Sequence, residues 1–185
     1  MSNRLKLTLI VVSIVIGIGS AFVFVASRQH TQRQTAAMTL IRDMDHIDQQ
    51  LSQASREFGL ALSHFVESGE AADPGAVQHT HRTLIKSINQ SIAVVSRLQA
   101  PESNHGAAFI SAQRRFLLVQ RRIIREDFGK LLGLLEDAST PLPQHSASIQ
   151  GIINAAFTET EREFALVHKI RLEFANEFAI HLATQ

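Results

Sequence analysis

The chain has 185 residues, 45% of them apolar, so it is long enough to bury one domain core and carry a further segment. Its formal net charge is only +1, so any basic patch must be balanced by acidic residues elsewhere. It contains no Cys, which excludes disulfides, thiolate metal sites and thiol catalysis, and eleven Phe residues supply all of its aromatic character.

An uncharged apolar stretch covers residues 7–26, between Arg4 and Lys6 on one side and Arg28 on the other. Twenty residues at about 1.5 Å rise per residue form a helix of roughly 30 Å, the thickness of a bilayer's hydrocarbon core. A cleaved secretory signal is the alternative, but its apolar region is usually about 7 to 15 residues long. We therefore predict an uncleaved transmembrane anchor with a short N-terminal tail over residues 1–27.

The orientation of this anchor follows from the positive charges beside it. Arg4, Lys6 and the amino terminus precede the apolar stretch, whereas Arg28 and Arg33 follow it. The small excess before the stretch favours an N-terminus in the cytoplasm of a bacterial inner membrane, with the bulk of the chain in the periplasm. The lipid bilayer is then one partner of the chain.

Small residues recur every four positions within the apolar stretch, at Ser13, Gly17 and Ala21. On a helix they form one smooth face that lets the backbone of a partner helix approach closely. These three residues are the expected site of helix packing within the membrane.

Helix-breaking residues after the anchor are concentrated in three short clusters, at 67–75, 100–106 and 137–146. They divide the remainder into four segments with helical period, and strand signals are absent. We expect helices at about 34–67, 75–99, 102–136 and 146–183.

The apolar residues of each segment form one stripe, as a helix needs in order to pack against others. In the first segment the spacing alternates between four and three without a break, through Leu40, Met44, Ile47, Leu51, Ala54, Phe58, Ala61 and Phe65. The stripe expected for the fourth segment contains Ile153, Phe157, Phe164, Val167, Phe174 and Phe178. Four such helices with short connections predict an all-α fold: an N-terminal transmembrane helix followed by an antiparallel four-helix bundle over residues 28–185.

The third segment contains five arginines within QRRFLLVQRRIIRE, residues 113–126. On a helical wheel they occupy the face opposite the core, and Leu118 lies among them. The simplest interpretation is a solvated polar face with pairs such as Arg122 with Glu126. Because Arg is enriched in interfaces, we predict instead an interaction or anion-binding surface. Its members are Arg114, Arg115, Leu118, Arg121, Arg122 and Arg125.

Several partners can be weighed for this surface. The acidic residues of 43–70 offer a complement within a protein, and a small carboxylate fits the planar fork of a guanidinium group. A nucleic acid is disfavoured because the chain has no Tyr or Trp to stack on bases and no recognised binding motif. A helix lying on the membrane surface is disfavoured because the apolar face of this segment is needed in the core.

An N-terminal anchor that leads into a long heptad helix and then a four-helix bundle resembles the periplasmic sensor domains of bacterial chemoreceptors and sensor kinases. The resemblance covers most of the chain and concerns architecture alone. It implies that two bundles dimerise and that arginines near the dimer interface grip ligand carboxylates. In the sequence no second apolar span and no signalling domain follow the bundle, so we expect an accessory subunit or a receptor without its output half.

Nine histidines raise the question of a metal site. Pairs with helical spacing are Asp43 with His46, Glu102 with His105, and Glu177 with His181, whereas His79 and His81 diverge on a helix. A di-iron bundle needs Glu-x-x-His on two helices and a lone Glu on each of the other two, all facing inward. Glu102 and His105 instead lie at a helix start beside Pro101, and Asp43 with His46 lies partly off the apolar stripe. His81 falls on the second helix's stripe, as a hydrogen-bonded core histidine does. We expect no metal and no cofactor.

No nucleophile elbow, phosphate loop, zinc-binding helix motif or dinucleotide fingerprint occurs, so we expect a protein that is not an enzyme. The favoured function is a single-pass membrane protein whose periplasmic bundle mediates protein contacts, as a homodimer or as an accessory subunit of a membrane complex. The alternative is a sensor module whose arginines recognise a small anionic ligand.

Overall fold

The computed structural model describes the backbone of residues 3–68, 74–137 and 142–182. Within these ranges it describes the side chains from residue 31 onward, except those of residues 68, 136, 142–144 and 146. Helices and short turns make up the described part, and no strand occurs in it. The prediction of an all-α chain is confirmed.

Helix α1 covers Asn3–Ser68 and helix α2 covers Pro74–Val95. The third predicted helix is divided into α3 at Gly106–Arg122, a π-helical turn at Ile123–Asp127, and α4 at Phe128–Glu136. Helix α5 covers Leu142–Glu177.

Helix α3 begins at Gly106, later than the sequence indicates, because the preceding residues form a turn that caps it. The hydroxyl oxygen of Ser103 accepts a hydrogen bond from the backbone N–H of Gly106 at 2.8 Å. A Cβ atom on Gly106 would lie 2.6 Å from both this hydroxyl and the Cβ of Ala100, so only glycine fits the turn.

Helix α5 ends at Glu177, earlier than predicted. Ala179 adopts a left-handed conformation with φ of 52°, and the N–H of Ile180 donates to the carbonyl oxygen of Ala175 at 2.9 Å. The N–H of Ala179 donates to the carbonyl oxygen of Asn176 at 3.1 Å. These two hydrogen bonds form the Schellman motif that ends a helix.

The helices pack in chain order, with α1 along α2, α2 against α3, and α3 and α4 against α5. Contacts at one end join Phe58 of α1 to His81 of α2 and Phe128 of α4. At the other end Phe109 of α3 stacks on Phe174 of α5. Helix α1, helix α2, the continuous run of α3 and α4, and helix α5 therefore alternate in direction around one core.

The stripe predicted for α1 is buried, with Ala61 alone half-buried. On α2 the buried residues are Val77, Leu84, Ile88, Ser91 and Val95, which follow one another at steps of seven, four, three and four, so a serine takes a core position. The buried stripes of α1 and α2 show that a heptad pattern in the sequence identifies the core face of a helix.

The stripe predicted for α5 is partly wrong. Phe157 is 64% exposed, Phe164 is 56% exposed and Ile153 is 40% exposed. The residues that α5 buries are Ala156, Glu163, Val167, Phe174, Ala175 and Phe178. Both sets of residues have helical spacing. Packing against α3 buries the second set and leaves Ile153, Phe157 and Phe164 exposed.

In the part of the chain whose side chains the structure describes, no helix is long and apolar enough to cross a membrane. The predicted transmembrane stretch at 7–26, with Ser13, Gly17 and Ala21, lies outside the described side chains.

Candidate interaction surface

Two of the five arginines on α3 and the π turn are engaged by acidic residues of α5. Arg115 lies with its Nε 2.8 Å from one carboxylate oxygen of Glu163, and its NH2 donates to the other oxygen, also at 2.8 Å. Arg162 donates a third hydrogen bond to Glu163 at 3.2 Å. The Glu163 side chain is only 3% exposed, so the fork of Arg115 covers a buried carboxylate.

The charge of Glu163 is kept by these bonds. The hydrogen bond from Arg115 holds the pKa of Glu163 below its ordinary value, although burial acts in the opposite direction. Arg162 lowers the pKa further. A buried, ionised glutamate on α5 is therefore a fixed anchor point for α3.

Arg122 lies between two carboxylates. It contacts Glu159 of α5 closely, and its NH1 donates to Asp127 at 3.0 Å. Burial lowers the pKa of Arg122, but Glu159 and Asp127 together outweigh this effect and raise it above its ordinary value. Glu126, the partner predicted from α-helical spacing, is replaced by Asp127 because the intervening turn is π-helical.

The π turn brings residues five apart into register, as Arg122 and Asp127 show, and the N–H of Phe128 bonds to the carbonyl oxygen of Ile123. His81 of α2 lies with its Nε2 2.7 Å from the carbonyl oxygen of Ile124. A carbonyl oxygen can only accept, so the ring nitrogen donates. This contact confirms the prediction of a hydrogen-bonded core histidine on α2.

The rest of the predicted arginine surface consists of Arg114, Arg121 and Arg125. Among the residues that the structure describes, these three have no ion-pair or hydrogen-bond partner. Leu118 is half-buried. The acidic partners of Arg115 and Arg122 come from α5 and, in the case of Asp127, from the π turn. None comes from the acidic part of α1 that the sequence suggests as their complement.

The acidic residues of α1 have other partners. Arg171 of α5 binds Asp45 through two hydrogen bonds of 2.6 and 2.9 Å, and Gln113 of α3 donates to Asp48 at 2.7 Å. We call these four residues the interior polar cluster. Gln113 is 1% exposed, and Arg171 has a buried Nε without a hydrogen-bond partner among the described residues. The cluster joins α1, α3 and α5 in the middle of the bundle.

Asp48 of this cluster has a displaced pKa. Burial raises its pKa to about 6, while the hydrogen bond from Gln113 and the charge of Arg171 act in the opposite direction. Asp45, one turn earlier on α1, raises the pKa further by repulsion. The negative charge of the Asp48 carboxylate is thus only partly compensated by the neighbouring groups.

A strip of large apolar residues lies open on α5, made up of Ile153, Phe157 and Phe164, which we call the α5 strip. The spacing of four and seven places these residues on one face. The ring of His168 stacks on Phe164, with centroids 6.2 Å apart, and Phe116 of α3 contacts its other side at 6.3 Å. The strip is therefore continuous with the core along one edge and exposed along the other.

At the opposite end of the bundle, Glu177 caps the turn before α3. Its carboxylate accepts hydrogen bonds from the N–H of Asn104 at 2.9 Å, from the N–H of His105 at 3.2 Å and from the ring of His105 at 3.1 Å. The bond from Asn104 lowers the pKa of Glu177 most. Arg33, Glu102, Ser103, Asn104, Glu177 and Phe178 line an open cavity of about 370 Å³ beside this cap.

Three of the histidines singled out in the sequence have protein side-chain or backbone partners. His105 contacts Glu177 and His81 contacts a carbonyl oxygen, whereas His46 bonds to Gln50 at 2.9 Å. Within the described ranges, no group of three or more His, Asp or Glu side chains is arranged to hold a metal ion.

Comparison of the chain with protein-family models, with curated proteins and with solved structures finds no match in any of the three. A functional interpretation therefore depends on the surfaces and clusters described above.

Proposed function

We propose that the chain is a single-pass protein of a bacterial inner membrane and that its helical bundle, on the periplasmic side, mediates protein contacts without catalysing a reaction. The bundle acts as a homodimer or as an accessory subunit of a membrane complex. The observation that carries this proposal is the exposure of Phe157 and Phe164 on one face of α5.

Membrane attachment is supported by the uncharged run at 7–26 and by the continuity of α1, which extends from Asn3 to Ser68. A continuous helix would join a membrane anchor to the bundle without a flexible linker. The slight excess of positive charge before the run supports an N-terminus in the cytoplasm.

A contact role is supported by the size of the residues in the α5 strip. Phe157 is 64% exposed and Phe164 is 56% exposed, so contact with a partner would remove the larger part of two aromatic side chains from water. Aromatic residues at the centre of an interface, surrounded by polar groups, supply most of its binding energy. The strip has this composition, with Arg162 and Glu161 as neighbours along α5.

Three arginines on α3 and the π turn support a second candidate function, recognition of a small anionic ligand. Arg114, Arg121 and Arg125 share a face and have no ion partner in the described part of the chain. Arg115 and Arg122 are occupied by acidic residues of α5, so a ligand would be bound by the other three.

The contact proposal is tested by the oligomeric state of the full chain in a non-ionic detergent. We expect native mass spectrometry to show a dimer or a complex with a co-purified protein. The double substitution Phe157→Ser and Phe164→Ser should weaken the association at least tenfold while helicity is retained. The control is Leu60→Ser on α1, which changes a side chain that is 66% exposed but lies outside the α5 strip. A monomer before any substitution would contradict the proposal.

The ligand alternative makes a separate prediction. A dicarboxylate such as succinate should then raise the melting temperature of the full chain, and Arg121→Gln with Arg125→Gln should abolish the rise. Under the contact proposal the dicarboxylate has no effect on melting, and the α5 substitutions alone change the oligomeric state.

A further inference from the structure

The interior polar cluster contains more negative than positive charge, and its charged members are half-buried, with the side chain of Asp45 37% exposed. It contains two carboxylates, those of Asp45 and Asp48, and one guanidinium group, that of Arg171. The guanidinium group is bound in the fork arrangement to Asp45, which leaves Asp48 with a neutral amide as its hydrogen-bond donor. When Asp48 is ionised, one negative charge in the cluster is unbalanced.

The groups that face Asp48 come from three helices. Helix α1 contributes Asp45, which repels it, α3 contributes the uncharged Gln113, and α5 contributes Arg171, which attracts it. Helix α2 brings no titratable group to it among the described residues. An uncompensated charge in such a position is costly, and a protonated carboxyl group or an amide of the same shape would avoid that cost.

The cluster also provides one of the direct side-chain contacts between α1 and α5. Direct side-chain bonds between α1 and α5 in the described part of the chain are those of Arg171 with Asp45 and of Gln34 with the carbonyl oxygen of Phe178 at 3.1 Å. Nearer the N-terminus of α5, Phe157 and Phe164 are exposed. The packing of α1 on α5 therefore depends on few contacts, and one of them lies one helical turn from Asp48.

We propose that the interior polar cluster is a proton-sensitive joint, in which uptake of one proton by Asp48 tightens the packing of α1 against α3 and α5. The proton comes from solvent and binds to a carboxylate oxygen of Asp48. The cluster then contains one neutral carboxyl group and one ion pair, that of Arg171 with Asp45. Loss of the proton restores the unbalanced charge and loosens the joint. The inference does not require the membrane anchor or the contact surface.

The sign of the effect follows from the raised pKa of Asp48. The folded state binds the proton more tightly than the unfolded state, so this residue's contribution to stability is fully present below pH 4 and is lost as the pH rises through about 6. The folding equilibrium constant should fall on the order of 100-fold over this interval because of Asp48 alone.

The first measurement compares melting of the full chain, in a non-ionic detergent, with that of Asp48→Asn between pH 4 and pH 7.5. The asparagine keeps an oxygen that accepts the bond from Gln113 but carries no charge. We expect the variant to become more stable than the wild type as the pH rises, whereas the control Asp43→Asn on the same helix keeps a constant difference from the wild type. A constant difference for Asp48→Asn would overturn the inference.

The second measurement detects the change in packing. Because the chain lacks Cys, spin labels can be attached at introduced cysteines alone, Ser52→Cys on α1 and Ala165→Cys on α5, both exposed positions. We expect the distribution of distances between the labels to broaden from pH 5 to pH 7.5, and Asp48→Asn to keep the narrow distribution at both values. A pH-dependent stability difference with an unchanged distribution would also overturn the inference, because Asp48 would then affect stability alone.

Discussion

The imidazole Nε2 of His81 on α2 lies 2.7 Å from the carbonyl oxygen of Ile124, within the π turn that separates α3 from α4. The ring of His81 also lies 5.6 Å from that of Phe58, centroid to centroid. A side chain from a neighbouring helix thus satisfies a backbone oxygen where the helical hydrogen-bond pattern changes.

Replacement of His81 by Leu should destabilise the bundle, because the volume of the ring is largely kept while the carbonyl oxygen of Ile124 loses its donor. A buried acceptor without a partner costs about 1–3 kcal/mol. Urea denaturation of the full chain measures the loss. The control is His79→Leu, which alters an exposed position two residues away on α2. Equal effects of the two substitutions would show that the contact with Ile124 contributes nothing.

Removal of Arg115 should be much more costly than removal of its neighbour. Arg115→Met leaves the buried carboxylate of Glu163 with only the 3.2 Å bond from Arg162, so we expect a loss of about 1–3 kcal/mol. Arg114→Met removes the same charge from the adjacent residue, which has no partner in the described part, and should change stability by less than about 0.5 kcal/mol. Chemical denaturation at pH 7 compares the two, and similar losses would refute the role of the fork.

The same pair predicts a pH dependence opposite in sign to that of Asp48. The pKa of Glu163 is lowered in the folded state, so its contribution to stability is present above its ordinary pKa and is lost as the pH falls through the lowered value. Arg115→Met should therefore reduce the loss of stability on acidification below pH 4.5. A melting series from pH 5 to pH 2.5 checks this, with Arg114→Met expected to follow the wild type throughout.

Glu177 should protect the turn that precedes α3. Glu177→Gln removes the charge that accepts the N–H groups of Asn104 and His105, and loss of a cap of this kind costs about 1 kcal/mol. Hydrogen exchange of these two amides should accelerate, while amides in the centre of α2 keep their rates. Glu173→Gln, one turn earlier on α5, is the matched control. Unchanged exchange at Asn104 would contradict the capping role.

The periodic seam of α1 could be predicted from the sequence because it is a local property. Residues such as Leu51 and Phe58 recur at alternating steps of four and three, and a helix of 3.6 residues per turn brings them to one face whatever its neighbours are. The all-helical class and the histidine on the stripe of α2 follow from the same period, whereas clusters of helix-breaking residues indicate the connecting segments. One signal could have located the interior polar cluster as well, since Gln113 lies between apolar positions of α3.

Other features depend on which helix packs against which. On α5 two overlapping stripes have the same period, so spacing alone could not show that Glu163 is buried and Phe164 exposed. The partners of Arg115 and Arg122 are more than 35 positions away on α5, and the π turn changes which neighbour Arg122 meets along its own helix. The sequence by itself determined the helices and their apolar periods, because these arise from local backbone geometry. Only the tertiary structure decided the ion-pair partners, the exposed strip and the displaced pKa of Asp48, because these arise from distances between residues on different helices.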